Sequence, residues 1–149
     1  MTQAEAMYAA KEALIGLLRA DDALQGVQIA WSHPKRMERS TIIVGNSRRD
    51  FQKAGPPLGT GQRDASWRIE LAVNVLKKGS PEATAAAAVE LAAAVERVVA
   101  ANTELGIPET GIYSAQVTDG DLIESRRDAD REAEIPLDIT IRARLRADA

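Results

Sequence analysis

Apolar residues change their spacing several times along this chain, and each change marks an element. Over residues 3–20, Met7, Ala10, Leu14, Leu17 and Leu18 recur at helical spacing, with Glu5, Lys11, Glu12 and Arg19 elsewhere on the wheel. Asp21 and Asp22 then put negative charge at the end of a helix, where its dipole disfavours it, so the helix stops there. Gly26 opens a short strand whose Val27, Ile29 and Trp31 share one face; Pro34 holds His33 extended and closes it. A second strand near 39–46 carries Thr41-Ile42-Ile43-Val44 ahead of Gly45-Asn46.

Residues 47–65 lose all periodicity and contain three glycines and Pro56-Pro57, which predicts a long loop. Strand alternation returns with Trp67, Ile69, Leu71, Val73 and Val75 on one face and Arg68, Glu70 and Asn74 on the other. Ser80-Pro81-Glu82 starts a second helix running to about Ala101, with an alanine-rich stripe of Ala85, Ala88, Leu91, Ala92, Val95, Val98 and Val99. Gly106 and Pro108 bar its continuation. A strand near 111–124, broken at Thr118-Asp119-Gly120-Asp121, precedes a last strand near 131–146. There Ile135, Leu137, Ile139, Ile141, Ala143 and Leu145 alternate with polar residues, the mark of an antiparallel strand with one wet face.

The order α-β-β-β-α-β-β predicts a single α+β domain over 1–149: one mostly antiparallel sheet of about five strands with two helices on one face. Trp67, Ile69, Leu71 and Val73 are expected under the Ala88, Val95 and Val99 side of the second helix.

Composition narrows the function. In 149 residues there are 22 acids and 19 bases, a net charge of −3, so no basic excess points to nucleic acid. No cysteine is present, which excludes disulfides and thiolate chemistry. The alanine-rich stretch is interrupted by Glu90 and Glu96 and does not read as a membrane span, and the first residues do not read as an export signal. Alanine dominates an apolar fraction of 45% that includes only five aromatic residues, which predicts a thin core and a protomer that gains stability from neighbours.

No constellation of catalytic residues emerges. His33 is the sole histidine and has no second histidine or cysteine to join it at a metal, so it reads as a strand-end surface residue. Asp119, Asp121 and Glu124 surround Gly120 without the register of a calcium loop, and Asp-Gly is ordinary turn or bulge chemistry. Gly55, Gly59 and Gly61 precede a strand, whereas phosphate-binding glycine loops open a helix. No catalytic, cofactor or metal residue is therefore assigned. The candidates are for protein contact: Arg48, Arg49, Phe51, Lys53 and Arg63 in the long loop, and Arg142 and Arg144 on the outer face of the last strand. A solvated loop and a solvated strand face are the plainer readings of the same residues.

The whole-chain order of parts resembles the tail terminator, or tail-completion, proteins of long-tailed phages and phage-like particles. The resemblance rests on the first helix, the strand ending in Trp31-Ser32-His33-Pro34, the Thr41-to-Val44 strand, the long polar loop, the Trp67-to-Val75 strand, the Ser80-capped helix and the Ile135-to-Leu145 strand. It implies a virion protein without enzymatic activity or cofactor. Such a protein forms a homo-oligomeric ring, usually a hexamer, that caps the tail tube protein and docks to the head–tail connector or stopper. Another neck or minor tail component is the first alternative, and a small enzyme with its site in the 47–65 loop is the second. Under the ring reading, the loop is expected to be mobile in the free protomer and ordered on assembly.

Overall fold

Helix starts are set by side chains that satisfy the free amides of a first turn. In the computed structural model, which describes residues 1–49, 62–127 and 130–146, α1 (Gln3–Ala20) opens on a capping box. The Thr2 hydroxyl accepts from the Glu5 amide at 3.2 Å, and the Glu5 carboxylate accepts in return from the Thr2 amide. α2 (Pro81–Ala101) opens on Ser80, whose hydroxyl accepts from the Ala83 amide at 3.1 Å, with Pro81 in the first turn. α1 stops at the aspartates: Asp21 is extended, and its carboxylate accepts from the Ala23 amide to begin a 3-10 turn over Asp22–Leu24.

Among the described residues six strands form one sheet: β1 (Gln28–Ala30), β2 (Ser40–Arg49), β3 (Gln62–Lys77), β4 (Ile112–Gly120), β5 (Ile123–Arg127) and β6 (Asp130–Arg146). Their order across the sheet is β1-β2-β3-β6-β4, with β5 also paired to β6. β1 runs parallel to β2, and every other pairing is antiparallel. The sheet is thus mixed. A three-residue strand carries no local signal that tells a parallel partner from an antiparallel one.

β3 occupies one edge of β6 along its length, so β4 and β5 must share the other. Pro136 explains why they are two strands and not one. Its carbonyl accepts from the Asp121 amide at 3.3 Å. In an antiparallel ladder the N and O of one residue address the same neighbour, so the position without an N–H faces this edge. β4 ends at Gly120, β5 begins at Ile123, and the interval at Asp121–Leu122 lies opposite the proline. The break therefore falls slightly later than the Thr118-to-Asp121 turn expected from sequence, and the count rises from about five strands to six.

Both helices touch the sheet and each other, so they share one face. Trp67, Ile69, Leu71, Val73 and Val75 are buried in one cluster with Ala88, Ala92, Val95, Val98 and Val99 of α2 and with Ala6, Ala10, Leu14 and Leu18 of α1. Among the described residues Trp67 is the only aromatic in that core. Alanines on α2 let its backbone lie close to the sheet, and each fully buried Val, Leu or Ile contributes roughly 1.5–3 kcal/mol where Ala contributes much less.

The expected 47–65 loop is shorter than the sequence suggested. Gly45-Asn46 is a bulge, marked by the register shift between Val44 and Ser47, and β2 continues through Arg49. Gly45 fits because a Cβ there would lie 3.1 Å from the Glu70 carbonyl oxygen. At the far end, residues 62–65 already belong to β3. Phe51, Lys53 and the rest of the loop, with the expectation about its mobility, lie outside the described residues.

One glycine is required by its surroundings. Gly111 has φ +85°, its carbonyl accepts from the Arg144 amide at 2.9 Å, and a Cβ on it would meet the Arg144 carbonyl oxygen at 2.0 Å. Gly26 has a similar φ of +81° with nothing within 4 Å of a Cβ. Gly111→Ala is therefore expected to destabilise the fold by well over about 1 kcal/mol, and by clearly more than Gly26→Ala. Thermal melts of the two variants check this; equal losses would contradict the close approach at Gly111.

Candidate protein-assembly interface

The two edges of the sheet are finished differently. A three-residue edge strand such as β1 exposes unpaired carbonyls, which invite pairing with another chain. Here α1 covers them with cations. Arg19 Nη2 donates to the Ile29 oxygen at 3.0 Å, and Lys11 Nζ donates to the Trp31 oxygen at 3.4 Å. Lys11 also lies 4.5 Å from the centroid of the Trp31 ring, a cation–π contact. The Tyr8 and Trp31 rings pack at 5.3 Å, tilted by 47°.

Trp31 does not share the buried face of Ile29, as the alternation had suggested. It follows the end of β1, 40% exposed, beside a Tyr8 that is 60% exposed. Lys11 departs from expectation in the other direction, since it is buried although the helical wheel placed it among polar residues. The two departures have one cause: the indole covers the lysine stem, and the ammonium sits over the ring.

The chain returns from β1 to β2 through residues 31–39, and one amide holds this crossover. Gln28 Nε2 donates to the Arg36 oxygen at 3.1 Å, while Gln28 Oε1 accepts from the Glu38 amide at 3.0 Å and the Thr41 hydroxyl at 2.8 Å. Lys35, Arg36 and Arg39 are exposed along it. His33 is exposed too, with Nδ1 3.0 Å from the Pro34 oxygen.

The sheet face away from the helices carries a ladder of charges. Arg48 pairs with Glu70, Arg68 with Asp138 at 3.4 Å, and Arg144 with Asp64 at 3.6 Å. Glu70 and Asp138 are direct cross-strand neighbours, an arrangement that repels unless cations flank it, and Arg48 and Arg68 do. Arg144 also lies 5.3 Å from the Tyr113 ring centroid. Register places Arg48, Arg142 and Arg144 on this outer face. Arg49, opposite Trp67, and Arg63, opposite Leu145, belong to the helix-bearing face. The basic residues proposed from sequence are therefore divided between the two faces.

At the opposite edge, β4 has no partner on its outer side among the described residues. Beside it an open groove of about 450 Å³ runs between α2 and the β4–β5 break. Val89, Ala93, Val117 and Leu122 give it an apolar lining, with Glu96, Asp119 and Asp121 among the surrounding residues. Val89 and Leu122 are both exposed. Sequence reading treated Asp119-Gly120 as turn or bulge chemistry; both residues lie in β4 and pair with β6, next to a bulge between Val117 and Asp119, so the bulge holds and the turn does not. The groove itself was not legible, because it depends on Pro136 dividing one edge into two strands.

Among the described residues no three His, Asp or Glu side chains gather where they could hold a metal, and no helix is long and apolar enough to cross a membrane. No protein-family model matches the chain, and no curated protein matches it. Among solved structures, it is similar to a chain from the virion of a native gene transfer agent particle. The TM-score is 0.63 at 19% identity, and the match covers 93% of this chain and 98% of that one. The two share a fold over nearly their whole lengths.

Burial holds the Lys11 ammonium below the usual lysine value of 10.5. The unfolded chain then binds this proton more tightly than the folded one. Stability contributed by this site is accordingly lowest at neutral pH and rises as pH climbs through the interval below 10.5. Lys11→Met lacks that increment. The wild-type melting temperature should gain on that of the variant as pH rises from neutral towards 10.5; parallel pH profiles would contradict a buried charge.

Proposed function

We propose that this protein is a structural component of a phage-like virion, a tail terminator that caps the tail tube as a homo-oligomeric ring and docks the tail to the head connector. The observation that carries the reading is the shared fold with a gene transfer agent virion chain, end to end on both chains. The place within the particle, the ring and its hexameric count come from the resemblance to the terminator family, as do the tube and connector partners.

The chemistry of the surface agrees with an assembly role. Exposed aromatic rings, an apolar groove and a face of paired charges are features of protein contact. The sole histidine is exposed and hydrogen-bonded beside its own neighbour's carbonyl, and a catalytic role is not part of this reading. Arg142 and Arg144, both exposed on the outer face, are proposed as docking residues. Phe51 and Lys53 are proposed with them from the sequence alone.

Deleting the gene in a cell that produces the particle tests the function. The expected outcome is filled heads separate from tails of uneven length, with joining restored by the wild-type chain. Unjoined tails of uniform length would move the protein to another neck position, and normally joined particles would refute the proposal. The docking residues have their own check. Exposed ion pairs contribute roughly 0–1 kcal/mol, so Arg142→Gln with Arg144→Gln should leave the melting temperature nearly unchanged while reducing incorporation into particles severalfold. Undiminished incorporation would remove both residues from the interface.

A further inference from the structure

The edge surfaces described above complement each other, and they lie on the same molecule. At the β1 edge, Tyr8 and Trp31 project beside a crossover that is net positive, with exposed Lys35, Arg36 and Arg39 against exposed Glu38. At the β4 edge lies an apolar groove with Glu96, Asp119 and Asp121 around it. One edge offers aromatic groups and positive charge, the other an apolar recess and negative charge. Four strand spacings separate them, about 19 Å at roughly 4.8 Å each, so a protomer cannot satisfy its own groove.

We propose that the groove between α2 and the β4–β5 break receives the Tyr8–Trp31 edge of a second copy of this chain. The contact is head-to-tail, repeated from copy to copy, and a repeated heterologous contact closes into a ring or extends as a helix. The occupant is a second copy because the opposite edge of this same chain carries both the complementary charge and the exposed aromatic rings that an apolar groove takes. Trp31 and Tyr8 are the anchors that enter the groove; aromatic rings set in a desolvated pocket dominate such contacts. Lys35, Arg36 and Arg39 meet the acidic rim, which orients the approach more than it adds affinity.

The sheets of neighbouring copies do not merge into one. Arg19 and Lys11 already engage the carbonyls of Ile29 in β1 and of Trp31 just beyond it, which disfavours strand addition at that edge. Side chains carry the contact, and the β4 backbone edge stays available to a different partner. This inference deepens the ring reading by naming its contact, and it rests on that reading.

The chain has no cysteine, so introduced thiols report without background. Ser32→Cys beside the aromatic pair and Asp121→Cys at the groove leave Trp31, Tyr8 and Leu122 in place. A short bis-maleimide added to assembled protein or purified particles should link chains carrying both cysteines into a ladder of covalent multimers. Chains carrying either cysteine alone should stay monomeric on a denaturing gel. Trp31→Ala in the double-cysteine chain should reduce the ladder at least tenfold. Dimers from a single-cysteine chain would mean a symmetric contact and overturn the proposal. A ring seen by native mass spectrometry with no ladder would overturn the proposal and leave the ring standing. A wild-type chain that is monomeric both free and in particles would refute the contact and the ring together.

Discussion

The pairing of β3 with β6 is the constraint on which the rest of the structure depends. The ladder runs without a register shift from Arg63 opposite Leu145 to Lys77 opposite Arg131. It stacks Trp67 on Ile141, Ile69 on Ile139, Leu71 on Leu137 and Val73 on Ile135, and these rows form the floor beneath α2. The alternate rows bring Asp64 beside Arg144 and Glu70 beside Asp138 on the wet face. A slip of one residue would exchange the two sets, exposing the apolar rows and burying the charges. The same ladder that fixes the core therefore fixes which arginines can reach a partner.

The edges follow from this centre. With β3 holding one side of β6, everything after α2 must attach to the other side, where Pro136 removes a donor. The strand that would have closed the edge becomes β4 and β5, and the interval between them opens the groove against α2. On the far side, a parallel β1 is too short to protect itself, and α1 supplies Arg19 to its Ile29 carbonyl and Lys11 to the Trp31 carbonyl just beyond it. The molecule is thus a two-layer block whose ends differ in shape and in charge.

Much of this was legible in the residues. Strict alternation in β3 and β6, the helical stripe of α2 and the Ser80-Pro81 start gave the elements and their buried faces, because burial of one face imposes a period that sequence displays. The rest depended on contacts between distant segments. Gly45-Asn46 reads as the end of a strand and is a bulge within it, so Arg48 and Arg49 prove to be strand residues. Trp31 continues the alternation of β1 but is drawn to Tyr8 and Lys11 on α1. Pro136 hides among inward-facing neighbours, and its effect appears only opposite another strand. Alternation placed Arg142 and Arg144 on the outer face, but the faces taken by Arg48, Arg49 and Arg63, read from sequence as loop residues, needed the register.

Cryo-electron microscopy of the intact particle tests the central claim, that this chain is a repeating block of a virion, most directly. The account predicts a ring of density between tail tube and head into which this fold fits, with the β1 edge of each copy against the α2–β4 groove of the next. A particle whose neck and tail are wholly accounted for by other chains would contradict it.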